Sequence, residues 1–312
     1  MEEIRIPNDA TYAPFSLMDV IATAPVASRL LLGATLPGRV LSAAALGLYA
    51  GSAIKDWSRR RDMKWIDFQR EFGADVTTLE PMPEEERRAE IVRLAERLND
   101  GYTAEPMDER TLARAVNRRL ADYIAGITGQ RVHTSAEVRD FTIARVIFPF
   151  AMGVCDIISG DVAIFRHSGV LHPHILCHEF VHRVGYWKEL HAQAISYFAL
   201  VTSGEPVMVQ SALAERLHRQ LKVLAPDDRE AYYALVDGIG LREELAKEMY
   251  ALKPEVGAYE GAVGAVMKRI YEERLKLTGQ NGISDYDVGF TNLLWTFSRS
   301  ATALQDKAQA EI

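Results

Sequence analysis

The stretch Cys177-His178-Glu179-Phe180-Val181-His182-Arg183-Val184-Gly185 decides how the rest of this chain is read. On a helix, His178 and His182 stand four residues apart on one face, so both imidazoles reach one point while Glu179 projects beside it. That arrangement suits Zn2+. A site of two histidines and a third carboxylate keeps one position for water, lowers the pKa of that water toward neutrality and leaves Glu179 to take its proton. Gly185 stands where such a helix has to stop so that the chain can turn and supply the third ligand. Cys177 points about 100° away from His178 around the helix and reads as a small core residue.

Just beyond lies Glu189-Leu190-His191-Ala192-Gln193, which opens an apolar run, Ala194 to Leu200, that reads as the next helix. The combination resembles the glutamate-type zincins, in which a Glu on the helix after HExxH is the third ligand, within a Glu-x-x-Ala context. The resemblance implies zinc held by His178, His182 and Glu189, with Glu179 as general base. One turn further on, Gln193 stands where a residue commonly orients a ligand histidine through its second ring nitrogen. Without the resemblance, Glu189 reads as a first-turn acid favoured by the helix dipole.

The span from about Ile147 to Leu200, including Phe148-Pro149-Phe150, also resembles an uncharacterised bacterial family of unknown function taken to be membrane zinc metallopeptidases. Its signature is similar to HExxHxxGxxxExEAN after a Pro-Phe segment. The similarity extends to Tyr271-Glu272-Glu273-Arg274-Leu275-Lys276, Gly282-Ile283-Ser284-Asp285-Tyr286 and the apolar Leu293-Leu294-Trp295. Two positions depart from the signature. Its second acid is His191 here and its Asn is Gln193, which leaves Glu189 and His191 both open as the third ligand.

The chain has 312 residues, 48% apolar and 25% charged, an ordinary globular composition able to bury a large core. A net charge of −7 without a long basic run argues against nucleic acid as a partner and leaves a peptide or protein substrate as the expectation. Two cysteines, Cys155 and Cys177, form no CxxC pair and no disulfide framework. The start Met1-Glu2-Glu3-Ile4-Arg5 is acidic, unlike a secretory leader. The location expected is the cytoplasm or the cytoplasmic face of a membrane.

Residues 1–72 read as an N-terminal apolar helical region. From Phe15 to Ile54 the formal charges are Asp19, Arg29 and Arg39. Val40 to Ile54 as a helix is about 22 Å long, short of the roughly 30 Å hydrocarbon core, so it makes a poor span. Arg59-Arg60-Arg61 and Lys64, interleaved with Trp57 and Trp65, suit an interfacial anchor, and membrane association through residues 15–65 is one expectation. The other is a Gly/Ala-rich helical pair packed on the rest of the protein, with a solvated Arg cluster at its end.

Residues 73–312 read as the zincin-like catalytic domain, with a helical scaffold at 84–129, strands and the HExxH core at 141–200, and a helical part at 205–305. The scaffold helices carry Ile91, Leu94, Ala95 and Leu98, then Leu112, Val116, Leu120, Ile124 and Ile127, with Arg-rich faces expected in solvent. Ile143 to Phe148 and Asp161 to Arg166 are the strands expected, the second as an edge where a peptide could add. His172 and His174 read as surface or N-cap-neighbourhood residues of the loop entering the metal helix. Tyr286 reads either as an oxyanion donor or as a buried Tyr that ties down its loop.

The overall expectation is an α+β, mainly helical fold with a small β-sheet and a helical C-terminal part. A rival reading pairs Glu179-x-x-His182 with Glu215-Arg216-Leu217-His218 as a di-iron carboxylate site, which leaves His178 without a role. A third is a catalytically inactive metal-binding module.

Overall fold

A computed structural model describes residues 1–13, 35–104, 108–139, 152–156, 158–164, 168–226, 228–252 and 261–300. The described chain is mainly helical with short strands, and it divides into two compact units that interleave in sequence: 1–65, 107–167 and 175–186 form one, and 66–106, 168–174 and 187–312 the other. The expected strand at 143–148 and the Pro-Phe segment lie outside the described residues.

In the first unit, β1 (Glu2–Arg5) pairs in parallel with β2 (Gln130–His133), setting Ile4 opposite Val132. Sequence reading did not find this pair. Each strand is four residues long, mostly charged or polar, and its partner is far away in the chain, so no local alternation marks it. Helix α1 (Leu36–Arg60) docks through a stripe of polar residues spaced by four. Ser52 accepts from the Ala10 N–H, Asp56 accepts from the backbone and side-chain nitrogens of Asn8, and Arg60 is 5% exposed. The N-terminal part of α1 leaves Leu36, Val40, Leu46 and Leu48 exposed. Among the described residues, no helix is long and apolar enough to cross a membrane.

A second small sheet sets β3 (Gly153–Cys155) antiparallel to β4 (Val162–Ile164), which is the described part of the strand expected at 161–166. β4 is not the edge. Arg139 bridges its other side, opposite Ala163, and donates its backbone N–H to Val162. Among the described residues it is β3 that has one neighbour. Helix α4 (Glu109–Thr128) leads into β2, with Asp108 as its N-cap, Gly129 in the left-handed conformation at its end, and Leu112, Val116, Leu120 and Ile124 buried as their spacing predicts.

The helix that carries His178 and His182, α5 (His172–Val184), begins earlier than the sequence suggested: His172 and His174 are buried in its first turn rather than lying in a surface loop. Arg183 on this helix is fully buried and donates to the carbonyls of Gly160, Ser135 and Glu137, each at 2.6 Å, fastening the β3–β4 turn. Burial pushes its guanidinium pKa down to about 10.

The second unit is built on α6 (Glu189–Val201), which packs on α7 (Pro206–Leu224); α7 packs on α3 (Glu84–Asp100) and on α8 (Arg229–Gly238), α8 on α9 (Glu243–Leu252), and α11 (Val288–Ser298) on both α6 and α7. α6 is buried almost all round. Leu190, Ile195, Phe198 and Leu200 each contribute about 1.5–3 kcal/mol by leaving water. The short α2 (Phe68–Phe72) adds Phe72, stacked on Phe198 at 4.9 Å. Contrary to expectation, the charged face of α3 is partly interior. Arg87 and Glu90 are buried, Arg87 donating to Thr291 and Gln220, and Glu90 accepting from Gln220 and pairing with Arg216. A buried ion is tolerated when each is paired in this way. On α10 (Gly261–Leu277), Val263, Val266, Met267 and Ile270 repeat at helical spacing, as an apolar core stripe would; Val266 and Ile270 are nevertheless exposed, and the side chains of Val263 and Met267 lie outside the described residues.

Candidate metal centre

Helix α5 turns His178 and His182 toward each other. Their Nε2 atoms are 3.1 Å apart, the rings are perpendicular, and both residues are 8% exposed. His182 Nδ1 lies 2.7 Å from the main-chain oxygen of Tyr186. A carbonyl oxygen only accepts, so Nδ1 carries the proton and the Nε2 lone pair faces His178.

That hydrogen bond depends on how the helix ends. Gly185 has φ 130°, which brings the chain back so that Tyr186 donates its N–H to Val181 and presents its carbonyl to His182. A Cβ at Gly185 would stand 2.9 Å from the Trp65 ring and 3.2 Å from Arg60 Cδ. Arg60 itself donates to the carbonyls of Arg183 and Val184, two of the acceptors a helix leaves unsatisfied at its C-terminus. Trp65 packs edge-on against Tyr186, at 5.1 Å between centroids. Arg60 therefore belongs to the support of the histidine pair and not to a solvated basic cluster. The one signal of this in the sequence is its spacing of four and eight residues from Asp56 and Ser52.

Glu179, 7% exposed, lies against β3. A Cβ built on Gly153 would come within 3.1 Å of Glu179 Cγ and Oε1 and 3.0 Å of Ile164 Cδ1, so the absence of a side chain there gives the acid its room. Nothing in the sequence pointed to Gly153.

Glu189 opens α6. Its N–H donates to Gln280 at 2.7 Å, and its Oε1 accepts from the Tyr271 hydroxyl at 3.1 Å. The Tyr271 oxygen is in turn 2.6 Å from that of Tyr286. Burial, and then the negative charge of Glu189, push both phenols above their ordinary pKa. Gln280 had no part in the sequence reading, and Tyr271 entered it only as the head of a family-like segment, without a role; Tyr286 had one, and here it is tied to Tyr271.

His178, His182 and Glu189 each offer a ligand atom within 4.8 Å of the other two. For zinc bound to nitrogen at 2.0–2.1 Å, a tetrahedral edge is about 3.3 Å, close to the separation of the two Nε2 atoms. Two imidazoles and a carboxylate, one imidazole with its outer nitrogen already tied to a carbonyl, fit a zinc ion.

The remaining candidates sit elsewhere in the second unit. His191 bonds Asp75 at 2.8 Å and stacks on Phe68, with ring centroids 3.6 Å apart. Gln193 gives its carbonyl oxygen to His174 at 2.7 Å and its amide N–H to Glu215. Glu215 is paired with Arg219, and His218 shares a hydrogen bond with Tyr232. Burial would raise the Glu215 carboxyl, but Arg219, His174 and His218 outweigh it and hold the group below the usual carboxylate range. Both side chains of the second Glu-x-x-His pair are thus engaged by protein partners.

Residues 166–295 match the family model described as "Protein of unknown function (DUF3810)". The span contains His178, Glu179, His182, Glu189, Tyr271 and Tyr286, and the match is consistent with the resemblance drawn from the sequence to a family of unknown function. No curated protein and no solved structure matches the chain.

Proposed function

We propose that this protein is a zinc-dependent hydrolase, with a peptide or protein as its substrate, whose metal is held by His178, His182 and Glu189. The observation that carries the reading is the convergence of two buried Nε2 atoms at 3.1 Å, one of them on a ring whose Nδ1 is committed to a main-chain carbonyl. When bound, zinc supplies a polarised water and a Lewis acid for the scissile carbonyl. Glu179 takes the proton of the attacking water and passes it to the leaving nitrogen. Gly153 leaves space for that carboxylate, and β3, with one strand neighbour among the described residues, offers a backbone against which an extended peptide can lie.

The zincin-like fold and the peptidase activity belong to the same proposal. The di-iron alternative is disfavoured by the partners of Glu215 and His218. The exposed Leu46, Leu48, Ile54 and Trp57 of α1, near Arg59 and Arg61, support peripheral association with a membrane surface, which co-sedimentation with anionic vesicles would test.

The test of the central reading is the metal content of wild type and Glu189→Ala purified without added metal, measured by plasma mass spectrometry. Near one equivalent of zinc, lost or much weakened in Glu189→Ala, supports the site and justifies a peptide-library screen. Two equivalents of iron favour the di-iron reading, and no metal in either protein overturns both.

A further inference from the structure

The first unit holds a cleft of about 500 Å3 that contains none of the residues of the candidate metal centre. It is lined by β1, by the 3-10 turn Asp9–Tyr12 and by Lys55 and Arg59, which stand one turn apart on α1. These elements are fastened to one another. Asp56, between the two cations in sequence, accepts from the backbone and side-chain nitrogens of Asn8 at 2.9 and 3.0 Å, and Ser52 accepts the Ala10 N–H at 3.0 Å. The cleft is therefore formed before any ligand arrives.

Its cations are not used up by the protein. Arg5 and Arg59 have no carboxylate partner among the described residues. Lys55 pairs with Asp9 at 2.7 Å, but both side chains are more than half exposed, and an ion pair that exposed contributes little, so an incoming anion competes for the lysine. The other acid of the lining, Glu3, lies 3.5 Å from His133 on the neighbouring strand. Two guanidinium forks, an ammonium and the exposed phenol of Tyr12 suit an oxygen-rich dianion, and a phosphate monoester matches both the forks and the charge.

The flank of α1 that carries Lys55 continues into apolar surface. Leu48, seven residues earlier and about 10 Å back along the axis on the same side, is 65% exposed. Between them Gly51 is exposed, and a Cβ there would meet nothing within 4 Å, so among the described residues the helix backbone is uncovered at that point. A molecule with phosphate in the cleft and hydrocarbon beyond it satisfies both surfaces, whereas a free phosphate leaves Leu48 in water. We propose that this cleft binds the phosphate monoester of an anionic membrane lipid, whose acyl chains lie along the Leu48 flank of α1. The site rests on the peripheral membrane association proposed above and does not depend on the metal centre.

The experiment is co-sedimentation of the full-length protein with phosphatidylcholine vesicles that contain either phosphatidic acid or enough phosphatidylglycerol to give the same zeta potential. The first lipid presents a phosphate monoester and the second a diester, so equal surface charge isolates recognition of the headgroup. Wild type is expected to bind the phosphatidic acid vesicles roughly 10-fold or more tightly, the scale of charge-assisted hydrogen bonds. Arg5→Gln and Arg59→Gln, both at exposed positions, are each expected to remove that preference and to melt as wild type does. Arg61→Gln, outside the lining of the cleft, should weaken binding to both vesicles alike, by about 5-fold. Equal binding of wild type to both vesicles, or a preference that survives Arg5→Gln and Arg59→Gln, overturns the cleft and leaves the peripheral association standing. Glycerol 3-phosphate that binds as tightly by calorimetry as phosphatidic acid does in vesicles overturns the lipid assignment in favour of a soluble phosphate ester. Sedimentation with neither vesicle overturns the lipid site and the association together.

Discussion

His182 Nδ1 donates to the main-chain oxygen of Tyr186 across 2.7 Å, four residues further on and beyond the end of its own helix. This bond fixes the tautomer, points Nε2 at His178 and ties the proposed ligand to the glycine that ends the helix. A ligand histidine held in this way binds with less loss of rotamer freedom and with a more basic nitrogen. The geometry of the helix end is thus part of the chemistry of the centre.

Glu179→Gln is expected to retain zinc and lose turnover by about 10²–10⁴-fold, the usual contribution of a general base. Metal analysis and hydrolysis of the best peptide from a library check both halves. Full activity in the variant would remove Glu179 from the proton-transfer role.

Gly153→Ala puts a methyl group 3.1 Å from the Glu179 carboxylate and 3.0 Å from Ile164 Cδ1, so these side chains have to shift by a few tenths of an ångström to admit it. Displacing a general base by a fraction of an ångström lowers kcat by roughly 10-fold or more without touching the ligands. Zinc content should stay at the wild-type level while kcat falls. Unchanged kcat would show that β3 does not constrain the acid.

Arg60→Ala leaves the carbonyls of Arg183 and Val184 without their donor. A buried acceptor left unsatisfied costs about 1–3 kcal/mol, so the urea midpoint should drop accordingly. Zinc affinity should fall as well, because the turn that carries Tyr186 loses its anchor. A drop in stability with no change in affinity would separate the cap from the site.

His218 is buried and bonded to Tyr232, and desolvation, followed by the charges of Arg219 and Lys222, lowers its pKa from 6.5 to about 3. Between those values the unfolded chain binds a proton that the folded one refuses. Its contribution to stability is therefore full above pH 6.5 and is lost as pH falls toward 3, by a few kcal/mol at most. Denaturant midpoints at pH 8, 6 and 5 should fall in that order, and His218→Gln, which does not titrate, should flatten the trend. An equal slope in the variant would assign the acid sensitivity to other groups.

Local spacing carried much of this protein into view. The four-residue interval of His178 and His182, the glycine after them, and the apolar stripes of α3 and α4 are consequences of helix periodicity, which operates over a few residues and is written in the sequence. His172 and His174 were misplaced because a helix can start before its diagnostic motif. The solvated faces expected for Arg60 and Arg87 were misjudged because a charged side chain declares its usual environment and not its partners.

By itself, then, the sequence determined the helical presentation of two histidines and an acid, the break that follows them, and a mainly helical fold. Tertiary structure alone decided what supports them: the Arg60 cap comes from 124 residues away from Val184, and the Tyr271 hydroxyl from 82 residues away from Glu189. It also decided the pairing of β1 with β2 and the passage of Gly153 beside Glu179. Contacts of that kind leave no period in the chain. They form because burying the helices brings distant polar groups together, and each must then find a partner or pay the cost of leaving water.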